Sequence, residues 1–185
     1  MNVKRTIIKA GKVLWEEHLV TSHSGNISVR EGDFVYITNT GTKLGFLEES
    51  DISTVPIQAG RNEYPFISSE WDIHRGLYLN TKRTVIIHAH PPCTVTLSLN
   101  YEKIEAIDYE GKISFKIAPV IENLEDRKKL LESLLDKFEN YKIVVIRGHG
   151  TFTLTDSIEE AIFLTSSLEF SSKVLIFNAI FNKKL

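Results

Sequence analysis

The chain switches repeatedly between two hydrophobic periodicities, and this interleaving constrains its fold more than any other feature. Short β-branched or alternating runs read as strands: NISVR at 26–30, FVYIT at 34–38, TVIIHAH at 84–90, KISFKIAPV at 112–120, IVVI at 143–146 and TFTL at 151–154. Helical spacing covers 3–19, 69–80 and 123–140, and PPCTVTLSL can open a further helix, because proline is tolerated in a first turn. TDSIEEA carries a capping pattern, Ser157 with Glu160 three residues on, ahead of a long helix. EGD at 31–33 reads as a tight turn between two strands, and TNTGTKLGF reads as a loop. Several adjacent strands look like hairpins, which favours an α/β domain with a mixed sheet over a purely parallel one.

Nothing divides the chain. Its 185 residues, 42% hydrophobic, suffice for one sizeable core, and no linker, repeat or low-complexity tract appears, so one domain over 1–185 is expected. A formal net charge of −2 gives no general attraction to nucleic acid or to an anionic membrane, so any anion binding must be local. No apolar run approaches the roughly 20 residues that span a bilayer. The longest one near the end, VLIF at 174–177, reads as part of a buried helix face. The N-terminal stretch is charged and helix-periodic, without the apolar core of a signal peptide. With Cys93 as its one cysteine, the chain can form no internal disulfide, and a soluble cytoplasmic protein is the expectation.

The chemistry-bearing residues fall at junctions between elements. His88 and His90 lie two apart on a strand, so their side chains share a face, as chelation by two imidazoles requires. The pair alone fits an exposed strand end equally well, and zinc usually wants at least three protein ligands. His149 stands between two glycines at the end of another apolar strand, where a simple turn is the competing reading. His18 falls near the end of the first helix, where the dipole favours a cation. His23 lies in a loop beside Gly25, and His74 lies four residues after Glu70, on the same helix face. Glu70, at a helix start, is either an acid favoured by the dipole or a general acid/base. SGN at 24–26, TGT at 40–42 and SS at 68–69 are small, polar and glycine-bearing, and together they could cradle a phosphate. No Walker loop, nucleophile elbow or dinucleotide fingerprint occurs.

SGNISVR, TNTG, SSEWDIH, HAHPP and GHG stand in this order over about 11–161, and in that order the chain resembles the class II aldolase/adducin family. The likeness is greatest to that family's zinc-dependent sugar-phosphate aldolases of the L-fuculose-phosphate type. The resemblance implies a three-layer α/β/α domain with a central mixed, largely antiparallel sheet, assembled as a homotetramer with sites at subunit interfaces. It implies His88, His90 and His149 as ligands of one Zn2+ per subunit, a site that another divalent transition metal could also occupy. By the same resemblance Glu70 is the catalytic acid/base, and Gly25, Asn26, Thr40, Gly41, Ser68 and Ser69 bind the phosphate. Tyr109, nineteen positions after His90, matches a catalytic tyrosine that reaches a neighbouring subunit's site. The implied reaction is reversible cleavage of a ketose 1-phosphate to dihydroxyacetone phosphate and a short aldehyde. The family also contains methylthioribulose-1-phosphate dehydratases, pentulose-phosphate 4-epimerases and the non-catalytic adducin head. The epimerases carry aspartate at the position of Glu70, and the adducin head has lost the metal ligands. Two departures stand out: Asn39 replaces a common proline, and the chain ends 36 residues after His149, without a visible counterpart of the tail that closes the aldolase site on the aldehyde.

Overall fold

The computed structural model describes residues 2–182. Eight strands form one sheet: β1 (Asn26–Glu31), β2 (Phe34–Thr38), β3 (Ile52–Pro56), β4 (Val85–Ala89), β5 (Lys103–Glu105), β6 (Ile117–Ile121), β7 (Ile143–Ile146) and β8 (Gly150–Thr155). Their spatial order is β3-β2-β1-β4-β8-β7-β6-β5. Every neighbouring pair is antiparallel except β6 and β7. The sheet is therefore mixed, as the hairpin-rich pattern predicts, and largely antiparallel, as the family resemblance implies.

Six helices cover it: α1 (Val3–Glu16), α2 (Trp71–Asn80), α3 (Pro92–Ser98), α4 (Tyr109–Ser114), α5 (Arg127–Phe138) and α6 (Ile158–Asn182). Strand alternation divides the apolar side chains between two faces. Ile86, Val144, Ile146, Phe152 and Leu154 pack with Trp71, Ile73 and Leu77 of α2 and with Leu130 and Leu134 of α5. On the opposite face Val85, Ile87 and Ala89 meet Ile7 and Leu14 of α1 and Ile158 and Ala161 of α6. Further along that face, Ile143 and Val145 meet Leu164 and Leu168 of α6 and Leu97 of α3. Both faces are thus buried, which is why the central strands read as continuous apolar runs.

Several sequence boundaries are corrected. The 112–120 run is not one strand: Lys112 to Ser114 close α4, whose N-cap Asp108 accepts a hydrogen bond from the Gly111 N–H. The chain then reverses at Lys116 (φ 57°), and β6 begins at Ile117. The first helix stops at Glu16, and His18 lies beyond it in a left-handed conformation (φ 58°), with its N–H donating to the Trp15 carbonyl. The 123–140 helix starts only at Arg127, because Asp126 caps the Lys128 and Lys129 amides. The VLIF stretch is helical but not buried: Phe177 is 67% exposed, and the last turns of α6 carry exposed Ile180 and Phe181. Strands β3 and β5, both at sheet edges, carry too short an alternation to be read from sequence.

Candidate active site

Cross-strand pairing positions the first histidine. On β4, His88 faces Asn26 of β1 on one side and Phe152 of β8 on the other. Residues directly opposite across an antiparallel pair share a face, so all three side chains project toward the α2/α5 layer. The Phe152 ring stacks on that of His88, with centroids 4.4 Å apart and planes 23° from parallel. Two glycines let the backbones close around this point. A Cβ on Gly25 (φ +80°) would lie 2.8 Å from the His88 carbonyl oxygen, and one on Gly150 would lie 2.3 Å from that of Ala89. The β7–β8 turn delivers His149, whose N–H donates to the Ile146 carbonyl at 3.0 Å.

The three imidazoles meet, with ring centroids 4.7 to 5.0 Å apart and one nitrogen from each within 4.8 Å of the others. His88 Nδ1–H donates to the Thr151 carbonyl at 2.9 Å, which leaves Nε2 as the lone-pair nitrogen. His90 Nε2 lies 2.9 Å from that nitrogen. Burial pushes all three rings away from protonation. His88 is held well below the usual histidine range by burial and then by the neighbouring His90 and His149; His90 falls to about 4 through burial and His149. His149 is lowered by burial and by Arg127, with Glu70 opposing. They are neutral at pH 7, the state a metal ligand needs.

This donor set fits a divalent transition metal. Tetrahedral zinc with Zn–N near 2.1 Å needs nitrogens about 3.4 Å apart, a small adjustment of the cluster. His88 already has the carbonyl partner that commonly fixes a ligating imidazole, and His149 Nδ1 is buried without a hydrogen-bond partner among the described residues.

Glu70 stands immediately before α2, yet its side chain makes no cap bond. Its backbone N–H donates to Ser68 Oγ at 3.2 Å, and its carboxylate, 15% exposed, is ion-paired through Oε2 with Arg127 at the start of α5. A carboxylate present only for the α2 dipole would turn onto the helix amides; this one does not. Arg127 has no local sequence signal, since its partner is 57 residues away. His74, one turn into α2, is fully buried, with Nδ1 2.7 Å from Ser28 Oγ and a pKa lowered to about 3 by burial and Arg127. Ser28 Oγ in turn lies 2.7 Å from the Tyr78 hydroxyl, which donates to the Ser28 carbonyl. Counting protons, Ser28 donates to Tyr78 and His74 Nδ1–H donates to Ser28, so His74 Nε2 carries a lone pair, unpartnered and buried. His74 braces the layer beneath the site.

One cavity of about 170 Å³ is lined by Gly25, Asn26, Thr40, Gly41, Ser68, Ser69, Glu70, His88, His90 and His149, with His23, Ser24, Asn39 and Thr42 completing it. The loops are zipped together: the Thr40 N–H donates to the Phe66 carbonyl at 2.8 Å, and the Ser68 N–H donates to that of Thr38 at 3.2 Å. Asn39 takes the proline's place by bridging outward, accepting from Ser53 Oγ and donating to the Ser50 carbonyl. Among the described residues no lysine or arginine lines the cavity, so an anion there would meet neutral donors. Sequence reasoning left His23 out of the site, although it sits on this wall with Nδ1 2.8 Å from Ser22 Oγ. Tyr109 is the exception among the sequence candidates: it is 77% exposed at the start of α4 and outside the cavity. A larger apolar groove of about 680 Å³ along the end of α6 holds none of these groups.

Comparison with known proteins supplies the family. Residues 5–176 match the family described as Class II Aldolase and Adducin N-terminal domain. The chain belongs to that family. An L-fuculose phosphate aldolase of Methanocaldococcus jannaschii is 30% identical over 182 residues, covering 97% of this chain and 99% of its own. A methylthioribulose-1-phosphate dehydratase of Methylococcus capsulatus is 27% identical, covering 89% and 88%. Among solved structures, L-fuculose-1-phosphate aldolase from Thermus thermophilus superposes with a TM-score of 0.87 at 25% identity, covering 97% of this chain and 95% of that one. Within the class II aldolase family the chain is a lyase. Among its described residues, no helix is long and apolar enough to cross a membrane.

Proposed function

We propose that the protein is a zinc-dependent sugar-phosphate aldolase, reversibly cleaving a ketose 1-phosphate of the L-fuculose 1-phosphate type to dihydroxyacetone phosphate and a short aldehyde. One observation carries this reading: three neutral histidines, a carboxylate and three small polar loops line a single cavity. His88, His90 and His149 would hold the ion; zinc, or another divalent transition metal suited to imidazoles, would supply there the positive charge that stabilises electrons released from a breaking carbon–carbon bond.

The protein's own groups do the rest. Gly25, Asn26, Thr40, Gly41, Ser68 and Ser69 fix the phosphate and so hold the reacting carbons beside Glu70. Glu70 gives a proton to the carbon left behind in cleavage and removes it in synthesis. Tyr109, exposed on its own chain, takes the hydroxyl proton at a neighbouring subunit's site; an exposed position on α4 is where a residue reaching outward must stand. The corresponding assembly is a homotetramer, and a cytoplasmic location suits a chain whose one cysteine, Cys93, is free.

The test is a panel of ketose phosphates, with L-fuculose 1-phosphate first, given to zinc-loaded protein with coupled detection of dihydroxyacetone phosphate. Its absence with every member would refute the aldolase reading. Methylthioribulose 1-phosphate belongs in the panel because dehydratases acting on it are relatives at similar identity. A dehydrated diketone product, without dihydroxyacetone phosphate from any substrate, would establish that second reading instead.

A further inference from the structure

We infer that Arg127 is a positioning residue for Glu70, fixing the carboxylate in the orientation from which it exchanges a proton with substrate. The inference rests on the acid/base role proposed for Glu70 and adds a residue to it. Three observations carry it. First, Glu70 is free of the duty its position suggests: it precedes α2 but caps none of its amides, and Oε2 is engaged by Arg127 Nη2. Oε1 has no hydrogen-bond partner among the described residues, so one oxygen is tethered and the other is left for chemistry on the cavity wall.

Second, Arg127 is absent from the lining of the cavity that Glu70 faces. It engages Glu70 Oε2 without lining that cavity, so its effect on the reaction runs through the carboxylate.

Third, the packing that presents Arg127 is built closely. A Cβ on Gly76 of α2 would fall 2.2 Å from Leu131 Cδ2 of α5, so the helices approach closely here and a larger residue would make Leu131 turn aside. Arg127 lies one turn before Leu131, and Asp126 pins that end of α5 through the Lys128 and Lys129 amides. The guanidinium is thus delivered to Glu70 from the capped start of α5, packed against α2. The contact is single, Nη2 to Oε2, so it tethers one carboxylate oxygen and leaves the other unengaged.

The experiment is a double-mutant cycle on the zinc-loaded protein with the substrate found active: wild type, R127A, R127K, E70Q and E70Q/R127A, with kcat, KM, zinc content and melting temperature for each. Expected are a roughly 10- to 100-fold fall in kcat for R127A, a KM within about threefold of wild type, full zinc content, and partial recovery in R127K. In the E70Q background the residual turnover should not fall further on adding R127A, since nothing remains to be positioned. An R127A enzyme within about twofold of wild type overturns the inference, and so does an equal loss in both backgrounds. If R127A does not fold, R127M, which keeps the apolar stem and loses the ion pair, takes its place: kcat within about twofold of wild type then overturns the inference. A wild type active on its substrate with E70Q equally active removes the acid/base reading itself, and this inference with it.

Discussion

Replacing Gly150 by alanine probes the point where the two halves of the histidine cluster are held together. The added Cβ would sit 2.3 Å from the Ala89 carbonyl oxygen, whereas ordinary contact begins at 3.4 Å, so β4 and β8 must part locally by about 1 Å. The obstacle is backbone, which cannot rotate aside. Overpacking of this kind costs about 1–3 kcal/mol, which in a chain of this size lowers the melting temperature by about 2–12 °C. The displacement also has a direction: His88 and His90 follow β4, while His149 is joined to β8 through residue 150 itself. Widening that gap by a fraction of a metal–ligand bond should weaken zinc binding at least tenfold, with the sheet still formed. Chelator competition gives the affinity, and thermal unfolding of metal-free protein gives the packing cost separately. A G150A protein that melts with wild type and holds zinc as tightly would show that the strands do not constrain the cluster.

The other predictions address the acid, the anion loops and the buried histidine. Glu70→Gln should reduce turnover by roughly 100-fold or more while zinc content, read by elemental analysis, is unchanged. Ser69→Asp places a negative charge on the cavity wall and should raise KM for a phosphorylated substrate at least tenfold, with a smaller effect on kcat in steady-state kinetics. His74 is neutral in the folded protein down to about pH 3, whereas its unfolded form takes up a proton near 6.5. The unfolded state therefore binds more protons across that window, and stability present above pH 6.5 is lost as the pH falls toward 3. In metal-free protein, His74→Leu should flatten the denaturation-versus-pH slope there by about 1.4 kcal/mol per pH unit, the contribution of one proton.

What could be read from the residues depended on how local the cause was. The shared face of His88 and His90 follows from strand alternation, and the buried central strands follow from runs such as IVVI. Ser157 does cap the last helix, its Oγ accepting from the Glu160 N–H at 3.1 Å, although the Glu160 carboxylate turns to Lys142 and does not close the box. The arrival of His149 beside the pair depends on β4 pairing with β8, a contact between segments about sixty residues apart that periodicity does not encode. Only the resemblance to a family supplied it. Arg127 escaped for the same reason: its role arises from the approach of α2 and α5, set by Gly76, which in sequence is an unfavourable residue inside a helix. The misread strand at 112–120 had the right composition; Asp108 capping and a left-handed Lys116 overrode it.

The row formed by Asn26, His88 and Phe152 has a consequence for which substrates such a protein can accept. Asn26 and His88 are register partners on adjacent strands, so the backbones of the proposed phosphate anchor and the proposed ligand are set side by side at the strand spacing of about 4.8 Å. The sheet then works as a gauge, holding those two positions at a fixed separation on one face. Slipping β1 by a single residue would turn Asn26 to the other face and destroy the gauge altogether. Loops around the cavity could therefore change the aldehyde accepted while this distance, written into one hydrogen-bonded ladder, stayed constant.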